Sequence, residues 1–256
     1  MTATTGQRKL PLVHANLKLG YGIWHFSLPA GITCPGETEA CAAECYAKKG
    51  TFLFPTTVTR LAENDAMRLE NDFVPRVTAQ ITLQMIRRVR VHAAGDFDTI
   101  DYIRKWRRIA MRKQDTTYWA YTRSWTEEAA EAAGENLVEE LILLNQLDQF
   151  HLWLSCDKDT GKPRVIPGAR LAYMSTSDDD RPDYQVDMVF RTDRRTKLLS
   201  ASGGTVCPAE RETKRDANGK RVKSKVTCAN CQLCFDRVKQ LDKLNAKIRE
   251  RSLAIL

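Results

Sequence analysis

Hydrophobic and polar residues follow two periods along this chain, one typical of strands and one typical of helices. Runs rich in aromatic and β-branched residues, several of them alternating, predict six short strands. These runs lie at 21–28, 88–94, 116–123, 150–155, 169–175 and 184–191. Apolar residues at helical spacing separate the first four runs and predict four helices. These helices begin at Pro55, run over about 75–88, cover Ile100 to Ala110, and extend over 126–147.

Strands that alternate with helices indicate a parallel sheet with right-handed crossovers. The predicted fold class is therefore α/β, and six strands suit a partial or irregular TIM-like (βα) barrel better than a complete eightfold one. We divide the chain into a basic lead-in over 1–17, a barrel-like α/β domain over 18–205 and a cysteine-rich segment over 206–256. The last segment holds a basic loop over 210–226 and a predicted amphipathic helix over 235–256.

Composition indicates the cellular compartment and the class of partner that suit this chain. The chain has 256 residues, of which 43% are hydrophobic, enough for a sizeable core. No apolar run reaches the ~18 residues of a membrane span, and the polar first residues lack the apolar centre of a signal peptide. We therefore expect a cytoplasmic protein, with no membrane partner, whose eight cysteines serve metal binding or chemistry more often than disulfides. The net charge of +8 favours a nucleic acid or nucleotide as the partner; a basic surface that only aids solubility is the alternative.

A first group of cysteines follows the first predicted strand. Cys34, Cys41 and Cys45 have the spacing C-x6-C-x3-C within a turn-prone stretch, and Tyr46 follows directly. Three thiolates this close in sequence can meet at one metal centre, and three ligands leave a coordination position open. The pattern predicts a reactive metal site, against the alternative of three small buried residues.

A second group lies near the carboxyl terminus. It comprises Cys207, Cys228, Cys231 and Cys234, with the spacing C-x20-C-x2-C-x2-C. Four thiolates with this spacing suit a closed tetrahedral zinc site or a cubane iron–sulfur cluster. The spacing leaves zinc and iron–sulfur open, and a purely structural role is the default expectation.

Polar residues at the ends of the predicted strands are further candidates, because the carboxyl ends of parallel strands share one edge. The candidate catalytic residues are His92, Asp96, Tyr121, Arg123, Cys156 and Arg191. Each has a structural alternative. His92 could be a packed core histidine, Asp96 a helix N-cap, each arginine a member of a surface ion pair, and Cys156 a fourth ligand or, more simply, a small core residue.

The order of strand, cysteine loop, helix, strand and glycine-acid turn resembles the start of the radical S-adenosylmethionine fold. That resemblance implies a [4Fe–4S] cluster on Cys34, Cys41 and Cys45, with S-adenosylmethionine as a cofactor. It also implies cofactor contacts from Gly95, Asp96 and Tyr46. The spacing in that family is C-x3-C-x2-C, and its aromatic residue precedes the last cysteine, whereas Tyr46 follows Cys45.

A second resemblance covers about residues 18–234. It rests on motifs such as Cys34-Pro35-Gly36, Cys45-Tyr46-Ala47 and the stretches around Asp96 and Arg123. These motifs are similar to those of the phage gene-product-88-like family, which implies a phage origin, and so the cytoplasm of an infected bacterium, without implying an activity.

We therefore expect an iron–sulfur enzyme, radical-S-adenosylmethionine-like, that acts on a nucleic acid or nucleobase. A first alternative resembles tRNA-guanine transglycosylases, which are barrels with a cysteine-rich metal site, and implies base exchange or DNA modification with a structural zinc. A second alternative is a metal-stabilised protein that binds nucleic acid without catalysis.

Overall fold

Eight strands form one sheet in which each strand pairs with the next one in the sequence. The computed structural model describes residues 9–14, 16–164, 166–177, 179–192, 204–210, 217 and 226–236. The first pair is antiparallel and every later pair is parallel. The strands are β1 (Val13–His14), β2 (Trp24–Phe26), β3 (Arg88–Val91), β4 (Thr117–Thr122), β5 (Phe150–Cys156), β6 (Arg170–Ser175), β7 (Met188–Arg191) and β8 (Thr205–Val206).

The predicted α/β class is confirmed, and β2 to β7 coincide with the six predicted strands. The strands β1 and β8 were not predicted, because two residues are too few to show alternation and both strands are defined by their pairing with a neighbour. Within the described residues β8 does not pair with β1, so the sheet is open. The expected partial or irregular TIM-like barrel is therefore confirmed only in its α/β class and its sequential strand order, because the described strands do not close into a barrel.

Helices connect the parallel strands. They are α1 (Glu39–Glu44), α2 (Pro55–Leu69), α3 (Phe73–Leu83), α4 (Ile100–Arg112), α5 (Glu127–Ala133), α6 (Val138–Asn145) and α7 (Cys228–Cys231). The single helix predicted over 126–147 is wrong. Gly134 ends α5 in the left-handed region at φ 69°, which a glycine adopts without steric cost, and α6 then begins at Val138.

The two faces of the sheet have different coverings. Alternate residues such as Val89, Tyr118 and Leu152 pack against the helices in the main core. The opposite face, here called the aromatic face, carries Trp119, Tyr121, Trp153 and Phe190, and it is covered by residues of the second cysteine group and their neighbours. Successive side chains of a strand point to opposite faces of the sheet, so the alternation that predicted the strands places apolar residues on two separate surfaces.

Two of the predictions fall largely on residues outside the described ranges. These are the terminal helix over 235–256 and the basic loop over 210–226. Of the expected segments, the 1–17 lead-in contributes β1 to the sheet, and β8 spans the expected boundary between residues 205 and 206.

Candidate functional site

Four loops meet at the carboxyl edge of the sheet, directly after β2, β3, β4 and β5. We define the carboxyl-edge site by the residues that these loops contribute. They are Cys34, Cys41, Cys45, Asp96, Arg123 and Asp157. The parallel order of the strands brings these residues together although they are separated by up to 123 positions in the sequence.

The first cysteine group is held by the short helix α1. Thr38 caps this helix by accepting a hydrogen bond from the Cys41 amide at 3.0 Å, and its hydroxyl donates to Asp157 Oδ2 at 2.6 Å. The Ala40 amide donates to Asp159 Oδ2 at 2.9 Å. Two acidic residues of the loop after β5 therefore fix the helix that carries Cys41.

Asp96 anchors the loops rather than pointing into free space. Its Oδ1 accepts from the Phe97 amide at 2.7 Å and its Oδ2 from the Arg123 amide at 2.8 Å. Burial raises the pKa of Asp96 to about 6, although these hydrogen bonds and the Thr122 side chain act in the opposite direction. The helix N-cap that was the alternative role for Asp96 is supplied by Thr99, which accepts from the Tyr102 amide.

Close backbone contact explains the glycine before Asp96. Gly95 has φ +81°, and a Cβ atom there would lie 2.5 Å from Leu28 Cβ and 2.7 Å from Thr33 Oγ1. The Asp96 amide donates to the Thr33 carbonyl at 3.0 Å. The glycine-acid turn therefore packs directly on the loop that leads to Cys34.

Arg123 is the central cation of the site. Its Nη1 donates to Cys41 Sγ at 3.1 Å, and its Nη2 donates to Asp157 Oδ2 at 2.9 Å in a buried ion pair. Burial raises the pKa of Cys41, and the Arg123 guanidinium opposes that rise. A guanidinium beside a sulfur atom favours the thiolate form.

The three thiols of the first group are electrostatic neighbours. Burial raises the pKa of Cys34 to about 12, and the charges of Asp96 and Cys41 raise it further; Cys45 has the same effect on Cys41. All eight cysteines lie in the described part of the chain, and none forms a disulfide. Within the described ranges, however, no three His, Cys, Asp or Glu side chains form a ready set of metal ligands.

The other candidate residues have different surroundings. His92 follows β3 and lies on the helix side, where its Nε2 shares a hydrogen bond of 2.9 Å with the Tyr102 hydroxyl. Cys156 is buried in the main core, and its thiol donates to the Leu154 carbonyl at 3.5 Å. Arg191 ends β7, three strands away from β4. The contacts of His92 and Cys156 are thus with the helix-side core, and the charges of Arg123 and Asp157 also act on the Cys156 thiol.

Tyr46 and Tyr121 lie on either side of Arg90, a residue that was not among the candidates. The Tyr46 hydroxyl donates to the Ala93 carbonyl. The Arg90 guanidinium lies 5.4 Å from the centre of the Tyr121 ring and interacts electrostatically with Tyr46 and Cys234. Arg90 therefore interacts with the second cysteine group and with Tyr46, the residue that follows Cys45. Its alternate position in β3 indicated from the sequence which face of the sheet it lies on.

The second cysteine group covers the aromatic face. The Tyr121 hydroxyl donates to Cys234 Sγ at 2.9 Å, and Trp153 Nε1 donates to the Cys234 carbonyl at 3.0 Å. Burial raises the pKa of Cys234 to about 12, and the charges of Cys228 and Cys207 add to this effect. Cys231 ends the single turn α7. At least three of these four thiols thus lie near one another on the sheet.

Arg170 and Phe235 fix this segment in place. The Arg170 guanidinium donates to the carbonyls of Leu233 at 3.1 Å and Cys234 at 2.6 Å, and it stacks over the Trp153 ring at 3.7 Å. The Phe235 ring stacks on Trp119 with centroids 4.3 Å apart. Arg170 was missed in the sequence, because a single arginine at the start of a strand gives no sign of such a role.

The fold and the site define an α/β protein with an open, mostly parallel sheet whose cysteines are concentrated at its carboxyl edge and over its aromatic face. The chain belongs to the gene product 88 family, since the model of that family matches residues 2–237. The resemblance to the phage gene-product-88-like family, inferred from the sequence, is therefore confirmed.

Two relatives are the gene 88 proteins of Mycobacterium phages L5 and D29. They are 29% and 28% identical to this chain over 161 residues, which is 57% of the chain in both comparisons. The matched region spans 63% and 62% of the relatives' own lengths. Their names support a phage origin. No solved structure matches the chain, and no helix among the described residues is long and apolar enough to cross a membrane.

Proposed function

We propose that this protein is an iron–sulfur enzyme, radical-S-adenosylmethionine-like, that acts on a nucleic acid or nucleobase. The observation that carries the proposal is the position of the first cysteine group. Three neighbouring thiols lie over the carboxyl edge of a sequentially ordered parallel sheet, beside a buried arginine. That edge is where parallel α/β sheets place their reactive groups.

Cysteine thiolates are the ligand type that holds a cubane cluster, and the first group supplies three of them. Cys34, Cys41 and Cys45 would be its ligands, and three thiolates leave one iron open to a substrate or cofactor. When bound and reduced, such a cluster supplies an electron to S-adenosylmethionine. Arg123 favours the charged form of Cys41, while Asp96 holds the loops after β3 and β4 in place. The turn at Gly95 brings backbone close to the cysteine loop, where a bulkier residue would collide.

The proposed substrate class rests on charge. The chain carries 40 basic and 32 acidic residues, and a positive excess favours polyanionic partners. The second cysteine group would hold another [4Fe–4S] cluster or a zinc ion. Its hydrogen bonds to Tyr121, Trp153 and Arg170 suit a structural role, because they hold the segment against the sheet.

Metal analysis after anaerobic purification tests this proposal. Two cubanes would give about eight irons per chain and absorption near ~400 nm. Cys41→Ser should remove about half of the iron, and Cys231→Ser the other half if that group also binds a cluster. Cys156→Ala is the matched control, since Cys156 is buried in the core apart from both groups, and it should leave the iron content unchanged. Reductive cleavage of S-adenosylmethionine by dithionite-reduced protein is the next measurement.

A colourless protein that contains only zinc would overturn the iron–sulfur proposal. It would favour the second candidate, base exchange on a nucleic acid with a structural zinc, which the firm attachment of the second cysteine group supports. An iron content that is unchanged in the Cys41→Ser variant would remove the first group from consideration as a cluster site.

A further inference from the structure

A groove runs along the amino-terminal edge of the sheet, opposite the carboxyl-edge site. It has two adjoining parts, of about 630 Å³ and about 500 Å³, and both are lined by Met85, Ile86 and Arg87. We call it the amino-edge groove. One part is bordered by the β1–β2 hairpin and the start of β3, and the other by the ends of α3 and α4. The groove therefore follows the starts of three neighbouring strands.

Aromatic side chains line one end of the amino-edge groove. The side chain of Tyr21 is exposed, with 88% of its residue surface accessible. The His14 ring packs edge-on against both Tyr21 and Trp24, with centroids 5.1 Å and 4.9 Å apart, and His14 Nε2 accepts from the Gly22 amide at 3.3 Å. The Tyr21 ring contacts the His14 ring, and most of its own surface stays accessible for stacking on a flat partner.

Basic side chains line the rest of the amino-edge groove. Arg87, Arg88, Arg112 and Lys113 border the groove, whereas Asp115 is the single acidic residue among its described lining. Asp115 pairs with Arg87 at 3.6 Å, and both side chains are largely exposed, so this ion pair is weak and open to exchange. The exposed Met85 adds apolar surface at the junction of the two parts.

We propose that the amino-edge groove binds single-stranded nucleic acid. Its cations would follow the phosphate backbone, and the Tyr21 ring would stack on an unpaired base. A duplex hides the faces of its bases, so a ring at the mouth of the groove gains a stacking contact only from a single strand. The groove lies at the opposite edge of the sheet from the cysteines, and this binding does not depend on a metal or on the proposed reaction.

The test is fluorescence anisotropy of the purified full chain with labelled oligothymidylate and oligouridylate of about 15 nucleotides, within the usual range of single-strand sites. Tyr21→Ala should raise Kd roughly five- to 100-fold, as loss of one base stack does, whereas Tyr21→Phe should bind like the original protein. Leu17→Ala is the control for Tyr21, because Leu17 lies in the same connection between β1 and β2, is 96% exposed and does not line the groove.

Charge reversal tests the backbone contacts. Arg87→Glu should weaken binding and reduce the slope of log Kd against log salt by about one between ~50 and ~200 mM. The matched control is Arg108→Glu, because Arg108 pairs with exposed Asp101 at 3.7 Å much as Arg87 pairs with Asp115, but on the outer side of α4. This control should leave both Kd and slope unchanged.

Four results would overturn the proposal. The first is the absence of oligonucleotide binding, and the second is equal binding by the Tyr21→Ala and original proteins. The third is equal binding of a duplex and a single strand. The fourth is full displacement by polyglutamate at matched charge, which would show a surface for acidic polymers in general. None of these binding measurements involves iron. A failure of the groove proposal can therefore be told apart from a failure of the iron–sulfur enzyme proposal.

Discussion

Individual glycines decide how closely the loops of the carboxyl-edge site approach each other. Gly95 and Gly36 both lie where a Cβ atom would overlap a neighbouring loop: Leu28 and Thr33 for Gly95, and the Arg123 backbone for Gly36. Gly95 also needs a left-handed backbone, which other residues adopt only with strain. The position of Asp96 beside the first cysteine group therefore depends on the absence of a side chain one residue earlier.

Gly95→Ala should destabilise the protein by about 2–4 kcal/mol, because it combines left-handed strain with overpacking. Gly161→Ala separates the two effects. Gly161 has φ +65°, but a Cβ atom there would meet no other atom within 4 Å, so this change should cost only about 1 kcal/mol. The free energy of unfolding from urea titration measures both. Equal losses in the two variants would show that the close packing of Gly95 contributes nothing.

At the scale of elements, the segment 226–236 depends on the sheet for its position. It contains only the single turn α7, which is too short to be stable alone, and its contacts come from β4, β5 and β6. The amides of Cys228 and Ala229 also donate to the carbonyls of Lys18 and Leu19. The second cysteine group is thus assembled by the sheet and the turn before β2.

Arg170→Gln should weaken this attachment. The loss of two charge-assisted hydrogen bonds to the carbonyls of Leu233 and Cys234 should cost about 2–3 kcal/mol in unfolding free energy. It should also speed hydrogen exchange of the amides in 226–236. Arg164→Gln is the control, because Arg164 forms an exposed ion pair with Glu127, which is worth less than about 1 kcal/mol. Unchanged exchange in the Arg170 variant would contradict the attachment described above.

For the whole molecule, the buried His92 and the half-buried His25 couple folding to pH. Burial and the nearby arginines lower the pKa of His92 to about 3 and that of His25 to about 4. The unfolded chain takes up these protons near pH 6.5, whereas the folded chain resists them. Each histidine therefore stabilises the fold fully above pH 6.5, and this contribution is lost as the pH falls towards 4 and 3. Asp96 acts with the opposite sign, because its pKa is raised to about 6.

His92→Gln should flatten the acid side of the stability profile. Each neutral histidine contributes a slope of about 1.4 kcal/mol per pH unit below its unfolded pKa. The difference in unfolding free energy between the original protein and this variant should be constant above pH 7 and shrink between pH ~6 and ~4.5 by that slope. Urea titrations across this range measure it. A difference that does not vary with pH would show that His92 has the same pKa in the folded and the unfolded protein.

The sequence alone determined most of the sheet. Strand residues reveal themselves by local alternation, because each side chain contacts one of two opposite faces, and six strands of this kind were predicted. The parallel order also indicated that the residues after β3 and β4 share an edge with the first cysteine group. Asp96, Arg123 and Cys41 do meet there, as the hydrogen bonds of Arg123 show.

Only the tertiary structure decided the directions of individual side chains. His92 and Cys156 follow or end strands of the same edge, yet they pack against the helices, and Tyr121 contacts the second cysteine group instead of the first. The local pattern also did not predict the two-residue strands β1 and β8 or the break at Gly134 between α5 and α6. The physical reason is that periodicity records which residues alternate between faces, whereas the partner on each face comes from a distant part of the chain.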